Sequence, residues 1–180
     1  MESALLIAVP EVEPIVATLR EAHDPSAAVG VPAHVTLLYP FVAREDLTPT
    51  VSRRVANALS ASGIGPFEAR FERTARFPAV LYLEPTPRET FGRLITSVVT
   101  AFPDHPPYGG AFDTVVPHLT VADDEDADLD AIDTMVRTAL PVACEVQEVT
   151  LMAEGHNGWE MLEIFPLAGR GPQPRSVSPR

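Results

Sequence analysis

Apolar and polar positions recur with clear periods along most of this chain, and those periods divide it into strands and helices. Residues 4–9 (ALLIAV) form a continuous apolar run of strand length. Val12, Ile15, Val16 and Leu19 then recur at helical spacing, which predicts a helix over 12–23. HVTLLYPFV, from His34, is rich in β-branched and aromatic residues and reads as a strand. A helix is expected from near Leu47, with Val51, Val55, Ala58 and Leu59 on one face and Gly63 as its stop. Two strands come next, FEARFERTA and AVLYLEP, divided at Phe77–Pro78.

The order then recurs. PRETFGRLITSVVTAF predicts a helix with Pro87 near its first turn. DHPPYGGAF reads as a loop, PHLTVA as a strand, and DADLDAIDTMVRTAL as a helix carrying Leu129, Ile132, Met135 and Val136. ACEVQEVTLMAE and WEMLEIFPL are read as two strands joined through GHNG. The composition of residues 169–180, GRGPQPRSVSPR, predicts a disordered tail, which leaves 1–168 as one domain.

Helix, H-x-T strand, helix, strand, strand thus occurs twice. A shift of 84 positions carries His34 onto His118, and the same shift carries Arg53 onto Arg137. Such a duplication predicts an α+β fold of two interleaved lobes related by a pseudo-two-fold axis. Each lobe is expected to be an antiparallel sheet with helices on one face, and the lobes to enclose a central cleft.

Strand side chains alternate between faces, so His34 and Thr36 point one way while Val35 and Leu37 point into the core. His118 and Thr120 do the same against Leu119 and Val121. Facing lobes would set two imidazoles and two hydroxyls around one small site. That set suits phosphodiester chemistry. A neutral imidazole can remove a proton from an attacking hydroxyl or water, and a protonated one can supply a proton to the leaving oxygen. Hydroxyls hold the non-bridging oxygens as charge develops. No metal or cofactor is required.

Composition narrows the partners. The formal charge is −12, and all 13 basic residues are arginine. A protein that coats long nucleic acid rests on neutralising phosphates, so long nucleic acid is not expected as a partner. The apolar N-terminal run is too short for a membrane span, lacks a basic leader and reads as a strand rather than a signal peptide. Cys144 is the only cysteine, which excludes an internal disulfide, points to a cytoplasmic location and suggests a buried strand residue. There is no Gly-rich phosphate loop, nucleophile elbow or paired-cysteine metal site. The run DDEDADLD lacks the glycine and glutamate of a calcium loop and reads as a solvated helix start.

The two motifs AHVTLLYPF and PHLTVA resemble those of the 2H phosphoesterase superfamily, and FPAVLYLEP resembles the strand between them in its 2′-5′ RNA ligase-like branch. The resemblance covers residues 3–167 and implies a bilobal fold, a central cleft and metal-free phosphodiester chemistry. It carries over to His34, Thr36, His118 and Thr120 as catalytic residues. The substrate class it implies is a small nucleotide or short RNA end: 2′,3′-cyclic phosphates, 2′-5′ linked oligonucleotides or ADP-ribose cyclic phosphate. Many relatives carry a basic residue just after the second motif, where this chain has VADDEDAD. That departure favours a small nucleotide or another small phosphodiester over a long RNA. A monomer is expected. A non-catalytic nucleotide- or partner-binding module on the same scaffold is the competing reading.

Five further residues are candidates for substrate binding. Tyr39 and Phe41 follow the first motif and could line the cleft mouth and stack on a base, or simply pack. Tyr108, in the Pro/Gly-rich loop, and Trp159, after GHNG, are aromatic candidates of the same kind. Arg73 shares a strand face with Phe67 and Phe71 and could reach a phosphate, unless a bulge or a salt bridge turns it outward. His23, His105 and His156 are expected at the surface.

Overall fold

The predicted periods appear as elements in the computed structural model, which describes residues 1–112 and 114–169. In chain order these are β1 (Ser3–Ala8), α1 (Glu13–His23), α2 (Pro25–Ala28), β2 (His34–Leu38) and α3 (Pro49–Ser62). Next come β3 (Phe67–Phe77), β4 (Val80–Thr86), α4 (Arg88–Ala101), β5 (Leu119–Asp123) and α5 (Leu129–Arg137). The order closes with β6 (Val142–Val146), β7 (Glu148–Gly155) and β8 (Gly158–Pro166). The tail expected over 169–180 lies, from residue 170 on, outside the described residues.

Local signals set the helix ends. Thr48 caps α3 by accepting from the Val51 amide, and Gly63 ends it at a left-handed φ of 68°. Asp128 caps α5 through the Ala131 amide, so the acidic run does begin a helix. The four-residue α2 had no counterpart in the periodicity; Asp24 caps it by accepting from the Ser26 amide.

The strands form two four-stranded antiparallel sheets, ordered β2-β1-β7-β8 and β5-β4-β3-β6. The fold is the expected bilobal α+β arrangement, but the strands are exchanged more deeply than a simple pair of halves. The first sheet joins β1 and β2 to β7 and β8, from the far end of the chain, and the second takes everything between. ACEVQEVTLMAE is therefore not one strand. It breaks at Gln147, with β6 pairing β3 in one sheet and β7 pairing β1 in the other. Cys144 and Val146 alternate inward, then Gln147 and Glu148 are both exposed before Val149 is buried, so the inward phase slips by one residue.

The helices are exchanged as well. Between β1 and β2 runs α1, which packs against β5; between β4 and β5 runs α4, which packs against β2. Each motif strand is thus held by the helix of the other motif. One continuous core joins Leu5, Ile7, Val35 and Leu37 to Leu81, Leu83, Leu119 and Val121 through Phe71, Phe91 and Leu94, and a smaller cluster gathers Leu6, Val31 and Met152. Among the described residues, no helix is long and apolar enough to cross a membrane.

Candidate active site

The motif strands β2 and β5 are the inner edges of the two sheets and lie in contact. Along each, the alternation places the histidine and threonine opposite the core. The same irregularity then interrupts both. On β2, Thr36 pairs with Leu6 but Leu38 with Leu5, so Leu37 is an extra residue. On β5, Thr120 pairs with Tyr82 but Ala122 with Leu81, so Val121 is extra. These are β-bulges, and each lets two successive residues face the core: Leu37 with Leu38, and Val121 with Ala122. The next residues, Tyr39 and Asp123, return to the histidine face. The shift of 84 that relates the histidines relates these two as well.

Each imidazole is clamped in the same way. His34 Nδ1 donates to the Pro32 carbonyl at 2.7 Å, and His118 Nδ1 to the Val116 carbonyl at 2.7 Å. A carbonyl can only accept, so Nδ1 carries the hydrogen and Nε2 of a neutral ring holds a lone pair. Pro117, just before His118, has no amide hydrogen; Ala33, in the same place before His34, is fixed through its amide, which donates to Glu13.

Around the first histidine lies a pocket of about 300 Å³, lined by Leu6, Val31, His34, Thr36, Tyr39 and Trp159. The Tyr39 and Trp159 rings stand 6.1 Å apart. The Tyr39 hydroxyl donates to Glu2 at 2.5 Å, and that bond, more than burial, raises its pKa to about 12. Around the second histidine lies a pocket of about 550 Å³, lined among others by Phe77, Tyr108, Phe112, His118, Thr120 and Asp123. Phe77 and Tyr82 meet the His118 ring edge to face, at 5.2 and 5.4 Å.

Tyr108 joins the two pockets. It lines the second, its amide donates to the Tyr39 carbonyl at 2.6 Å, and its phenol lies within reach of the Thr36 hydroxyl. Burial raises the pKa of that phenol and Thr36 opposes the rise. Its backbone sits at a left-handed φ of 51°, a strained state for a tyrosine that persists only where the surroundings hold it.

Fixed charge differs between the two sides. Behind His34 lies Arg20, only 2% exposed, which bonds Asp24 at 3.0 Å, Ser26 at 3.1 Å and the Val31 carbonyl at 3.1 Å. Burial is the main cause that pushes His34 down to about 4. The Pro32 carbonyl opposes it, Arg20 adds to the fall, Asp24 opposes, and the second ring, His118, lowers it further. Burial also lowers His118, but the Val116 carbonyl and the Asp123 carboxylate pull it back up. Asp123 is itself raised, by burial and then by Asp24 and Asp124, with His118 opposing.

Of the nine sequence candidates, seven line these two pockets: the four motif residues with Tyr39, Tyr108 and Trp159. Two do not. Phe41 is 4% exposed and packs in the core, edge to face with Phe102 at 4.8 Å; it lies past the end of β2 at Leu38, and its amide donates to the Ser3 carbonyl. Arg73 falls in a register shift of β3 between Phe71 and Thr74; its side chain is 76% exposed and pairs with Glu84 at 3.6 Å. Two other histidines sit deeper than expected. Part-buried His23 bonds Asp124 at 2.7 Å, and His105 packs beside Phe41 and Phe102. Cys144 is buried, and desolvation pushes its thiol up to about 11, so it is no thiolate nucleophile. A larger hollow of about 710 Å³ runs between α3 and β8 but has no histidine in its lining.

Sequence reasoning missed Arg20, Phe77, Tyr82 and Asp123. Only Asp123 had a local signal, since it stands at the 84-residue image of Tyr39.

No curated protein sequence matches the chain. Solved structures do. TT0787 of Thermus thermophilus is similar at 21% identity and a TM-score of 0.60, covering 95% of this chain and 100% of that one. LigT of E. coli, solved with 3′-AMP, is similar at 16% identity and a TM-score of 0.59, covering 93% and 98%. The same LigT solved with NADP+ gives 18% identity, a TM-score of 0.57 and coverage of 92% and 96%. At these identities the likeness is one of fold. The sequence description of the 2′-5′ RNA ligase superfamily matches residues 8–158.

Proposed function

Because the chain belongs to the 2′-5′ RNA ligase superfamily, we propose that it is a metal-independent phosphodiesterase acting on a small cyclic or 2′-linked nucleotide, with His34 and His118 sharing the acid and base roles. The observation that carries this reading is the matched pair of clamps. Two imidazoles on adjoining edge strands are locked in the same tautomer by carbonyls at 2.7 Å, which leaves both Nε2 atoms free to accept or give a proton. One ring takes a proton from the attacking water as the new P–O bond forms. The other gives one to the ribose oxygen as its bond to phosphorus breaks. Thr36 and Thr120, on the same faces, donate to the non-bridging oxygens. Tyr39, Trp159 and Tyr108 give the nucleoside aromatic surface to stack on. LigT has been solved with 3′-AMP, NADP+ and ATP, all small nucleotides.

The test is turnover of 2′,3′-cyclic nucleotides, ADP-ribose cyclic phosphate and 2′-5′ linked dinucleotides in the presence of EDTA. His34→Ala and His118→Ala should each lose about 10²–10⁴ in rate. Retention of more than about a tenth of the activity in either variant rejects the paired role. Tight binding with no turnover would favour the nucleotide-binding module.

A further inference from the structure

The two pockets are related by the duplication, yet they are not electrically alike. We infer that Asp123 and Arg20 break the symmetry of the site, so that His118 gives the proton to the leaving oxygen and His34 takes the proton from the attacking water. The inference rests on the two-histidine phosphodiesterase reading and adds the direction in which protons move.

The bulge at Val121 is the geometric cause. Without it, Asp123 would alternate to the same side as Val121. With it, Asp123 pairs with Val80 and lines the pocket of His118 and Thr120. The related bulge at Leu37 delivers Tyr39 beside His34, a neutral phenol whose hydroxyl is already given to Glu2. One imidazole therefore shares its pocket with a carboxylate, while its counterpart shares one with a phenol.

The groups behind the rings act in the same sense. His34 faces Arg20, Asp24 and His118, with Glu13 standing 3.7 Å from Arg20. Asp24 is bonded to Arg20 and to the Ser26 amide, and the effect of the buried cation on the ring outweighs that of the carboxylate. His118 faces His34, Asp123, Tyr82 and Tyr108. Asp24 and Asp124 lie near Asp123, and Asp124 is itself bonded to His23. A positive group beside His34 favours the neutral base, and a negative group beside His118 favours the charged acid. Among the causes acting on the two rings, Arg20 lowers His34 and Asp123 raises His118.

The step balances. Water oxygen bonds to phosphorus while His34 Nε2 takes its proton. The bond from phosphorus to the ribose oxygen breaks while the His118 Nε2–H protonates that oxygen. The product is a nucleoside monophosphate, and solvent then moves the proton from His34 back to His118. Asp123 touches no reacting atom; it is a positioning residue for the proton on His118.

Two measurements test this. The first compares a 2′,3′-cyclic nucleotide with a 4-nitrophenyl phosphodiester of the same nucleoside, whose leaving group departs without a proton. His118→Ala should lose at least about 100-fold on the cyclic compound but less than about 10-fold on the nitrophenyl ester. His34→Ala should lose alike on both. The inverse pattern overturns the assignment while leaving the two-histidine reading intact. A wild-type protein that turns over neither compound overturns both. The second is the pH profile of kcat/KM in Asp123→Asn, which keeps the shape and removes the charge. Its basic limb, set by His118, should move to lower pH by about half a unit or more, with the acidic limb unmoved. An unmoved basic limb, or a displaced acidic one, overturns the role of Asp123.

Discussion

Lowering the pH from about 7.5 to about 5 should cost the folded protein up to about 2 kcal/mol through His34 alone. The ring's folded pKa is about 4, against an ordinary 6.5 that it regains on unfolding. Between those values the unfolded chain binds a proton that the folded chain refuses. The contribution is therefore complete above about 6.5 and is lost as the pH falls towards about 4. The whole span would be about 3 kcal/mol. At pH 5 the unfolded ring is almost fully charged and the folded ring about one-tenth charged, which gives about 2 kcal/mol. Because the ring is partly exposed, solvent reduces this to about 1–2 kcal/mol. Carboxylates also titrate in this range, so the measurement has to be a difference. Urea unfolding at both pH values is compared in the wild type and in His34→Asn, whose amide can still donate to the Pro32 carbonyl. The wild type should lose about 1–2 kcal/mol more than the variant on acidification. Equal losses would refute the claim that His34 is held neutral by its surroundings.

Arg20→Met should destabilise by about 3–5 kcal/mol in urea, because it leaves Asp24, 5% exposed, without its cation; a loss below about 1 kcal/mol would mean that water replaces the arginine. Gly158 sits at φ 120° with the Val29 carbonyl where a side chain would go, 2.7 Å from an added Cβ. Gly158→Ala should cost about 1–3 kcal/mol and shift the emission of Trp159, and an unchanged spectrum and stability would show that the contact yields freely. Trp159 is the only tryptophan, so a nucleotide stacking in the first pocket should quench the protein's indole emission; full emission at a concentration that saturates turnover would remove Trp159 from the site. Tyr108→Phe should leave KM within about threefold, whereas Tyr108→Ala should weaken substrate by about 1–3 kcal/mol if its ring stacks. Equal effects of the two variants would assign its role to the hydroxyl.

The parts of the fold that follow local rules were legible in the sequence. Alternation around His34 and His118 put imidazole and hydroxyl on one face, and Gly63 and Asp128 sit where helix ends require them. What was not legible depends on contacts between residues far apart. No local pattern says that β6 and β7, divided only by Gln147, belong to different sheets; that depends on whether β3 or β1 is the better partner. Arg73 is misplaced for a related reason: alternation does not hold through the register shift of β3, and such shifts are set by the partner strand. Phe41 lies beyond the last residue of β2, where strand alternation no longer applies. Asp123 was read as part of a solvated acidic run, although the spacing that matched the histidines also matched it to Tyr39. The buried Arg20 could not be foreseen, because its partners lie on the connection that leads to β2.

The place of β1, between β2 and β7, sets a timetable for the growing chain. Leu5 has Leu151 as its cross-strand neighbour, so during synthesis the first histidine's strand can join β1 early, but that pair has no outer support until β7 emerges from the ribosome. The second sheet, whose strands all lie between Phe67 and Val146, can assemble in the meantime. The first sheet should therefore be completed after the second, when the β7–β8 hairpin closes against β1.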